Sequence, residues 1–200
     1  TYSGGTILTG GAIFVGVDTV ESVPGTITSS AIGTGTLTFN GGTIASDSST
    51  ARSLNNDVFF NGNGAFGDGT NAGALTFTNT VDLGGSTRTI TTNANTTMRG
   101  VISNGGLTKA GSGSLTLSGD NTYTGTTTVT SGILTAGVST VGTTSGAFGV
   151  GSNITINGGT LDLGAYNESV GTVTIGANGG SITGSGGILI ATASYTFNND

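Results

Sequence analysis

Along most of the chain, apolar residues alternate with threonine or serine over short runs. The unit apolar-Thr-apolar recurs as LTF at Leu37, LTF at Leu75, LTL at Leu115, ITI at Ile154, VTI at Val173 and YTF at Tyr195. Such alternation puts the two apolar side chains on one face and Thr on the other, as a half-buried strand requires. The intervals between units are 38, 40, 39, 19 and 22 residues. These fit one or two steps of about 20, and VFF near Val58 and TVT near Val129 fall close to the midpoints of long intervals. Between the strands, NGG, SGS, NGN and GANGG supply the positive-φ positions of tight turns. No segment has an i, i+3, i+4 apolar pattern of helical length. The pattern predicts an all-β chain.

A fixed period of about 20 residues, with one short strand per side and Gly at the corners, is the mark of a solenoid whose coils stack on one another. Longer copies agree: LTFNGGTI at Leu37 parallels ITINGGTL at Ile154, and GAFGDG at Gly64 parallels GAFGVG at Gly146. The period predicts one β-solenoid domain over residues 1–200, with about ten coils of about 20 residues and Leu37, Leu75, Leu115, Leu117, Ile154 and Ile156 inside. One coil alone cannot offset its conformational entropy, so stacking must stabilise it and each terminal coil is weak unless something covers it.

Composition narrows the classes. Gly (40) and Pro (1) total 41 of 200 residues, below the roughly 25–30% of low-complexity disorder. The net charge of −6 comes from ten carboxylates and four scattered cations, Arg52, Arg88, Arg99 and Lys109. That is no cationic face for phosphates, so nucleic acid is not an expected partner. The longest apolar stretch, AIFVGV at Ala12 to Val17, is far short of a membrane helix, and the alternating runs are too short for an outer-membrane barrel. Membrane insertion is not expected. Cys is absent, which removes disulfides and thiolate metal sites. The chain opens at Thr1 with no signal-peptide pattern, the expectation for a processed protein or for one segment of a longer fibre.

The run GGLTKAGSGSLTLSGDNTYTGTTTVTSGILTAG, from Gly105 to Gly137, resembles the passenger-associated repeat of bacterial autotransporters and related giant surface proteins. GVISNGGLTK at Gly100 extends the likeness, so residues 100–137 carry it. The resemblance implies a right-handed parallel β-helix outside the cell or on its surface, in a family of adhesins, stalks and matrix proteins.

Chemistry is sparse. His and Cys are absent, and Asp18, Glu21, Asp47, Asp57, Asp68, Asp82, Asp120, Asp162 and Glu168 share no common coil phase, so no catalytic residue, cofactor site or metal site is assigned. Asp68 in GNGAFGDGTN reads as a Gly-Asp turn rather than a calcium repeat. Lys109, the sole lysine, reads as a stem over an apolar corner. Asp120, Asn121, Tyr123 and Gly125 form the repeat's turn, in which Asx side chains bond their own backbone and the Tyr ring caps the corner. The TxT pairs keep no common phase, which weighs against an ice-binding face; a cell-surface or matrix polysaccharide is a further possible partner.

The two ends together rebuild one repeat. SYTFNND from Ser194 aligns with SLTLSGD from Ser114, and TYSGGTILTGG from Thr1 aligns with TYTGTTTVTSG from Thr122. Neither end carries a covering helix or charged strand, and a contact joining unlike ends does not close. The expected partner is therefore the chain itself. The predicted junction comprises Thr1, Tyr2, Ile7, Leu8, Ile13 and Phe14 against Tyr195, Phe197, Asn198, Asn199 and Asp200. The expected function is a secreted structural solenoid forming a fibre, sheath or adhesive stalk head to tail, with a passive spacer inside a giant adhesin as the alternative.

Overall fold

The computed structural model describes residues 2–24 and 26–198. Among the described residues the strands pair in parallel from coil to coil, apart from one antiparallel hairpin, and they fall on three sides. The first side takes Thr6–Leu8, Leu37–Phe39, Val58–Phe60 and the starts of the long strands Val81–Thr92, Ile102–Ala110, Glu168–Ile175 and Leu189–Phe197. The second takes Ala12–Val15, Thr43–Ser46, Gly64–Phe66, Thr127–Val129, Ile154–Ile156 and the ends of the same long strands. The third takes Arg52–Leu54, Leu75–Phe77, Thr96–Met98, Ser114–Leu117, Ile133–Ala136, Thr160–Asp162 and Ser181–Thr183. Counted along the first and second sides, the described residues make about eight full coils and part of a ninth. We number them 1 to 9, coil 1 starting at Thr6 and coil 9 at Leu189.

Two insertions reduce the count from the ten expected. Thr6 pairs with Leu37, a step of 31 residues, because coil 1 carries the antiparallel hairpin Val20–Val23/Thr26–Ser29. Thr127 pairs with Ile154, a step of 27, because coil 7 carries a loop at 138–152. The remaining steps lie near 20, the length of three short strands and three corners.

Leu37, Leu75, Leu115, Leu117, Ile154 and Ile156 are all buried, yet they do not share one column. Leu37 is on the first side, Leu75 and Leu115 on the third, and Ile154, Val173 and Tyr195 on the second. The same alternating unit serves all three sides, so sequence spacing alone cannot distinguish them. Likewise LTFNGGTI turns from the first side to the second, whereas ITINGGTL turns from the second to the third. The GAFG pair also diverges: Gly64–Phe66 is a strand, and Gly146 to Phe148 belong to the coil 7 loop.

One contiguous apolar core runs from Leu8 to Ile175. In coils 2 and 3 it is aromatic: Phe39 stacks on Phe60 with centroids 4.8 Å apart, and Phe66 meets Phe39 edge-on at 5.6 Å. Such pairs add about 0.5–1.5 kcal/mol each beyond the area they bury.

Candidate functional site

The repeat's turn lies at the start of coil 6. Alternation through Asn121, Thr122 and Tyr123 sends Asn121 and Tyr123 inward, where both are buried. Asn121 does not bond its own backbone as expected. Its Oδ1 accepts from the Ile102 amide at 2.7 Å on coil 5, and its Nδ2 donates to the Ala147 carbonyl at 2.7 Å on coil 7. The backbone of Asn121 also exchanges hydrogen bonds with Gly146. Asn121 therefore joins three successive coils. Tyr123 is 1% exposed, so it lies within the core rather than capping a corner. Its Oη is hydrogen-bonded to Thr127 Oγ1 at 2.8 Å, and burial raises the phenol's pKa well above the usual value. Asp120 stays exposed, with Ser145 Oγ 3.5 Å from its carboxylate. Gly125 is required by close approach: a Cβ there would stand 2.4 Å from the Gly105 carbonyl oxygen.

Lys109 too lies in the interior rather than over a corner. Leu107 and Lys109 share the inward face of their strand, and Lys109 is 0% exposed. Nζ donates to the carbonyls of Ala110 at 2.8 Å, Gly111 at 2.9 Å and Ser131 at 3.1 Å. The ammonium thus caps corner carbonyls of coils 5 and 6. Burial lowers its pKa to about 8, while the three carbonyl acceptors favour the charged form.

The acids remain dispersed. Asp68 forms the predicted turn: Oδ1 accepts from the amides of Thr70 at 2.9 Å and Asn71 at 2.6 Å. The Asn71 amide foremost holds this carboxyl below its ordinary value. Asp47 pairs with Arg52 at 2.9 Å, and that guanidinium lowers its pKa. Among the described residues no group of three or more His, Cys, Asp or Glu could hold a metal. Glu168 departs from the turn reading, because it is an inward residue and is buried.

Threonine is more ordered than the TxT pairs suggest. Thr89, Thr108, Thr128, Thr155, Thr174 and Thr196 pair in succession on the second side. They form one outward ladder, one residue per coil. Each is the middle of an alternating unit, and β-branched cross-strand pairs of this kind contribute roughly 0.2–1 kcal/mol apiece.

At the ends, the core column is left open. Tyr195 and Phe197 are the inward partners of Val173 and Ile175 in the last coil, yet Phe197 is 69% exposed, with no coil over it among the described residues. Tyr195 reaches back across coil 9, its Oη donating to the Leu189 carbonyl at 2.6 Å. Asn198 is exposed and its amide donates to Ile175. At the other end Leu8 is buried and Ile13 packs partly against the core. Ile7 and Phe14 are exposed, but alternation points them outward from the flanks of coil 1 rather than along the rod. Thr1, Asn199 and Asp200 lie outside the described residues.

Tyr2 repeats the local geometry of Tyr123. Its hydroxyl is bonded to Thr6 as that of Tyr123 is to Thr127. The Thr34 amide donates to the Tyr2 carbonyl at 3.2 Å, as the Val150 amide does to the Tyr123 carbonyl at 2.9 Å. The preceding glycines, Gly33 and Gly149, have φ of 76° and 80° and lie against the two rings, where a Cβ would clash. Yet Tyr2 is 50% exposed.

Residues 107–136 match the model of the passenger-associated-transport-repeat family, so the chain carries that repeat on an autotransporter-like β-solenoid. The chain is also 35% identical over 146 residues, 64% of its length, to the adhesin BmaC autotransporter of Brucella suis biovar 1 (strain 1330). It spans 4% of the length of that relative. No solved structure matches.

Proposed function

We propose that this chain is a structural length of an extracellular β-solenoid, a fibre or stalk element of a bacterial surface adhesin, and not an enzyme. In this reading further coils stack head to tail on both open faces, and no cofactor or metal takes part. The carrying observation is the uncovered inward column at Tyr195 and Phe197, facing the same way as the fully buried column of the coils beneath. An added coil in the same register would bury these rings as Val173 and Ile175 are buried. The exposed Tyr2, set in the geometry of an internal Tyr, supports the same reading at the other end. The likeness to a Brucella adhesin supports the surface location, and the outward threonine ladder is the face a polysaccharide would meet.

The test is electron microscopy and sedimentation of the purified chain over a range of concentrations. Filaments that vanish in Phe197→Asp are expected; a monomer at every concentration rules out stacking of separate copies. A second reading, one continuous polypeptide in which this is a spacer, is favoured by the length of the Brucella relative. Denaturing electrophoresis of native material separates the two: a band near 19 kDa indicates subunits, a single very large band a continuous chain.

A further inference from the structure

The first side is interrupted once among the inner coils. On this side coil 7 meets the start of coil 8 at Ser139 and Thr140, where the Thr140 amide donates to the Asn167 carbonyl at 2.8 Å and the Asn167 amide donates to Ser139 Oγ at 3.0 Å. It then turns at Val141 to Ser145 and doubles back so that Gly146 meets Asn121 antiparallel. Ala147 and Phe148 plug the core, and Val150 bonds to Tyr123. A folded loop thus fills the place of a ladder strand, between the Asn121 turn and coil 8.

Glu168 lies beneath this loop. It is 1% exposed and stands in line with inward Val170. Oε2 accepts from Thr140 Oγ1 at 3.0 Å, and the same hydroxyl oxygen accepts from the Ser169 amide at 3.0 Å. The amides of Ala147 and Phe148 face the carboxyl, but Oε1 is buried without a hydrogen bond of ordinary geometry. Gly146 packs so close that a Cβ there would be 3.2 Å from Oε2. A cavity of about 290 Å³ adjoins the carboxyl, lined by Thr140, Gly142, Asn167, Ser169 and Ile190, and gives water a route to it once the loop lifts.

We propose that loop 138–152 is a pH-operated latch, held shut while the Glu168 carboxyl is protonated and loosened when it ionises. Apart from the Thr140 hydroxyl, the closed site offers an anion only the Ala147 and Phe148 amides, which leave Oε1 without a hydrogen bond of ordinary geometry, so the neutral acid is the better fit. The anion needs further donors, which water supplies only when the loop opens. The other titratable groups on the elements around it are Asp120 and Tyr123 on coil 6, Asp162 and Tyr166 before it on the chain, and Tyr195 on coil 9. None is a cation, since Arg52, Arg88, Arg99 and Lys109 belong to coils 2 to 5. Burial pushes the Glu168 pKa up to about 7, with the Thr140 hydroxyl and then the Phe148 and Ala147 amides acting against it. An opened loop returns it toward about 4.3. The closed state therefore binds the extra proton between these values, so opening increases as pH rises from about 4.5 to 7 and then levels off.

Hydrogen exchange of the Gly146 and Val150 amides, corrected for intrinsic rate, reads the latch directly. From pH 5 to pH 8 their opening constant should rise at least about tenfold, while amides of Ile154–Ile156 keep their protection. In Glu168→Gln, which cannot ionise, the loop should stay shut throughout. Opening that ignores pH, or a variant that tracks the parent, overturns the proposal, as does simultaneous opening of Ile154–Ile156. Should the variant fail to fold, carbon-detected titration of Glu168 in the parent decides: a midpoint at or below about 5 overturns the latch, and one near 7 sustains it.

Discussion

Tyr123 and Tyr2 sit in matching local frames, with the same hydroxyl partner, the same backbone bond to a following segment and the same glycine against the ring. One is enclosed and the other half open. The difference lies in their neighbours: Tyr123 has coil 5 on one side and the Ala147–Phe148 plug on the other, whereas Tyr2, among the described residues, has the segment 32–34 on one side and no coil on the other. The local sequence sets the conformation, and the neighbouring coil supplies the burial. In a stack where each coil touches only the next, the same residue should carry unequal energy according to its place.

The largest effect is expected at the middle of the stack. Leu117 faces inward on the third side and is fully buried. Leu117→Asp should cost more than about 4 kcal/mol in chemical denaturation, because a carboxylate there loses hydration without gaining a partner. Stability equal to the parent would refute the register assigned to Ser114–Leu117.

The two tyrosines test the principle directly. Tyr123→Ala should cost about 3–5 kcal/mol through the cavity it leaves, and Tyr2→Ala about 1 kcal/mol or less while the end is uncovered. Were a further coil to stack over Tyr2 as proposed, the second cost should approach the first. Equal losses in the isolated chain would show that the local frame, and not the neighbour, stabilises the ring.

Much of this was legible in the sequence, and what was not has particular causes. Alternation and corner glycines identify the solenoid because short strands and tight corners need those residues. The coil count could not be read, since the Val20–Ser29 hairpin and loop 138–152 carry no periodic sign. Nor could the side of each strand, because LTF serves the first side at Leu37 and the third at Leu75. At Lys109, Asn121 and Glu168 residue type alone misleads, whereas parity holds the signal. Each stands two positions from an apolar inward residue, Leu107, Tyr123 or Val170, and so shares its face. The threonine ladder was visible the same way, as the middle residue of each unit rather than as TxT pairs.

Lys109 sharpens the contrast between inner and exposed sites through pH. Its pKa falls from about 10.4 unfolded to about 8 folded, so between these values the unfolded chain binds more protons and stability rises with pH. Urea denaturation at pH 7.5 and 9.5 should show a gain of about 1–2 kcal/mol at the higher pH, absent in Lys109→Met. A fall in stability over this range would mean that the three carbonyls hold the ammonium more strongly than burial opposes it.

The smallest effect is expected on the outward ladder. Thr128 stands between Thr108 and Thr155 on the second side and is half-buried, with its hydroxyl side away from the core. Thr128→Val keeps the branched shape that suits a strand and removes only a hydroxyl that water can serve, so the stability change should stay within about 0.5 kcal/mol. Thr127, its neighbour in sequence, points inward and bonds to Tyr123; Thr127→Val strands the phenol hydroxyl in the core and should cost about 1–3 kcal/mol. Paired denaturation curves of these adjacent variants check the inward-outward assignment one residue at a time. If Thr128→Val proves the costlier, the ladder makes interactions that outward packing does not account for, and the two faces of this side have been exchanged.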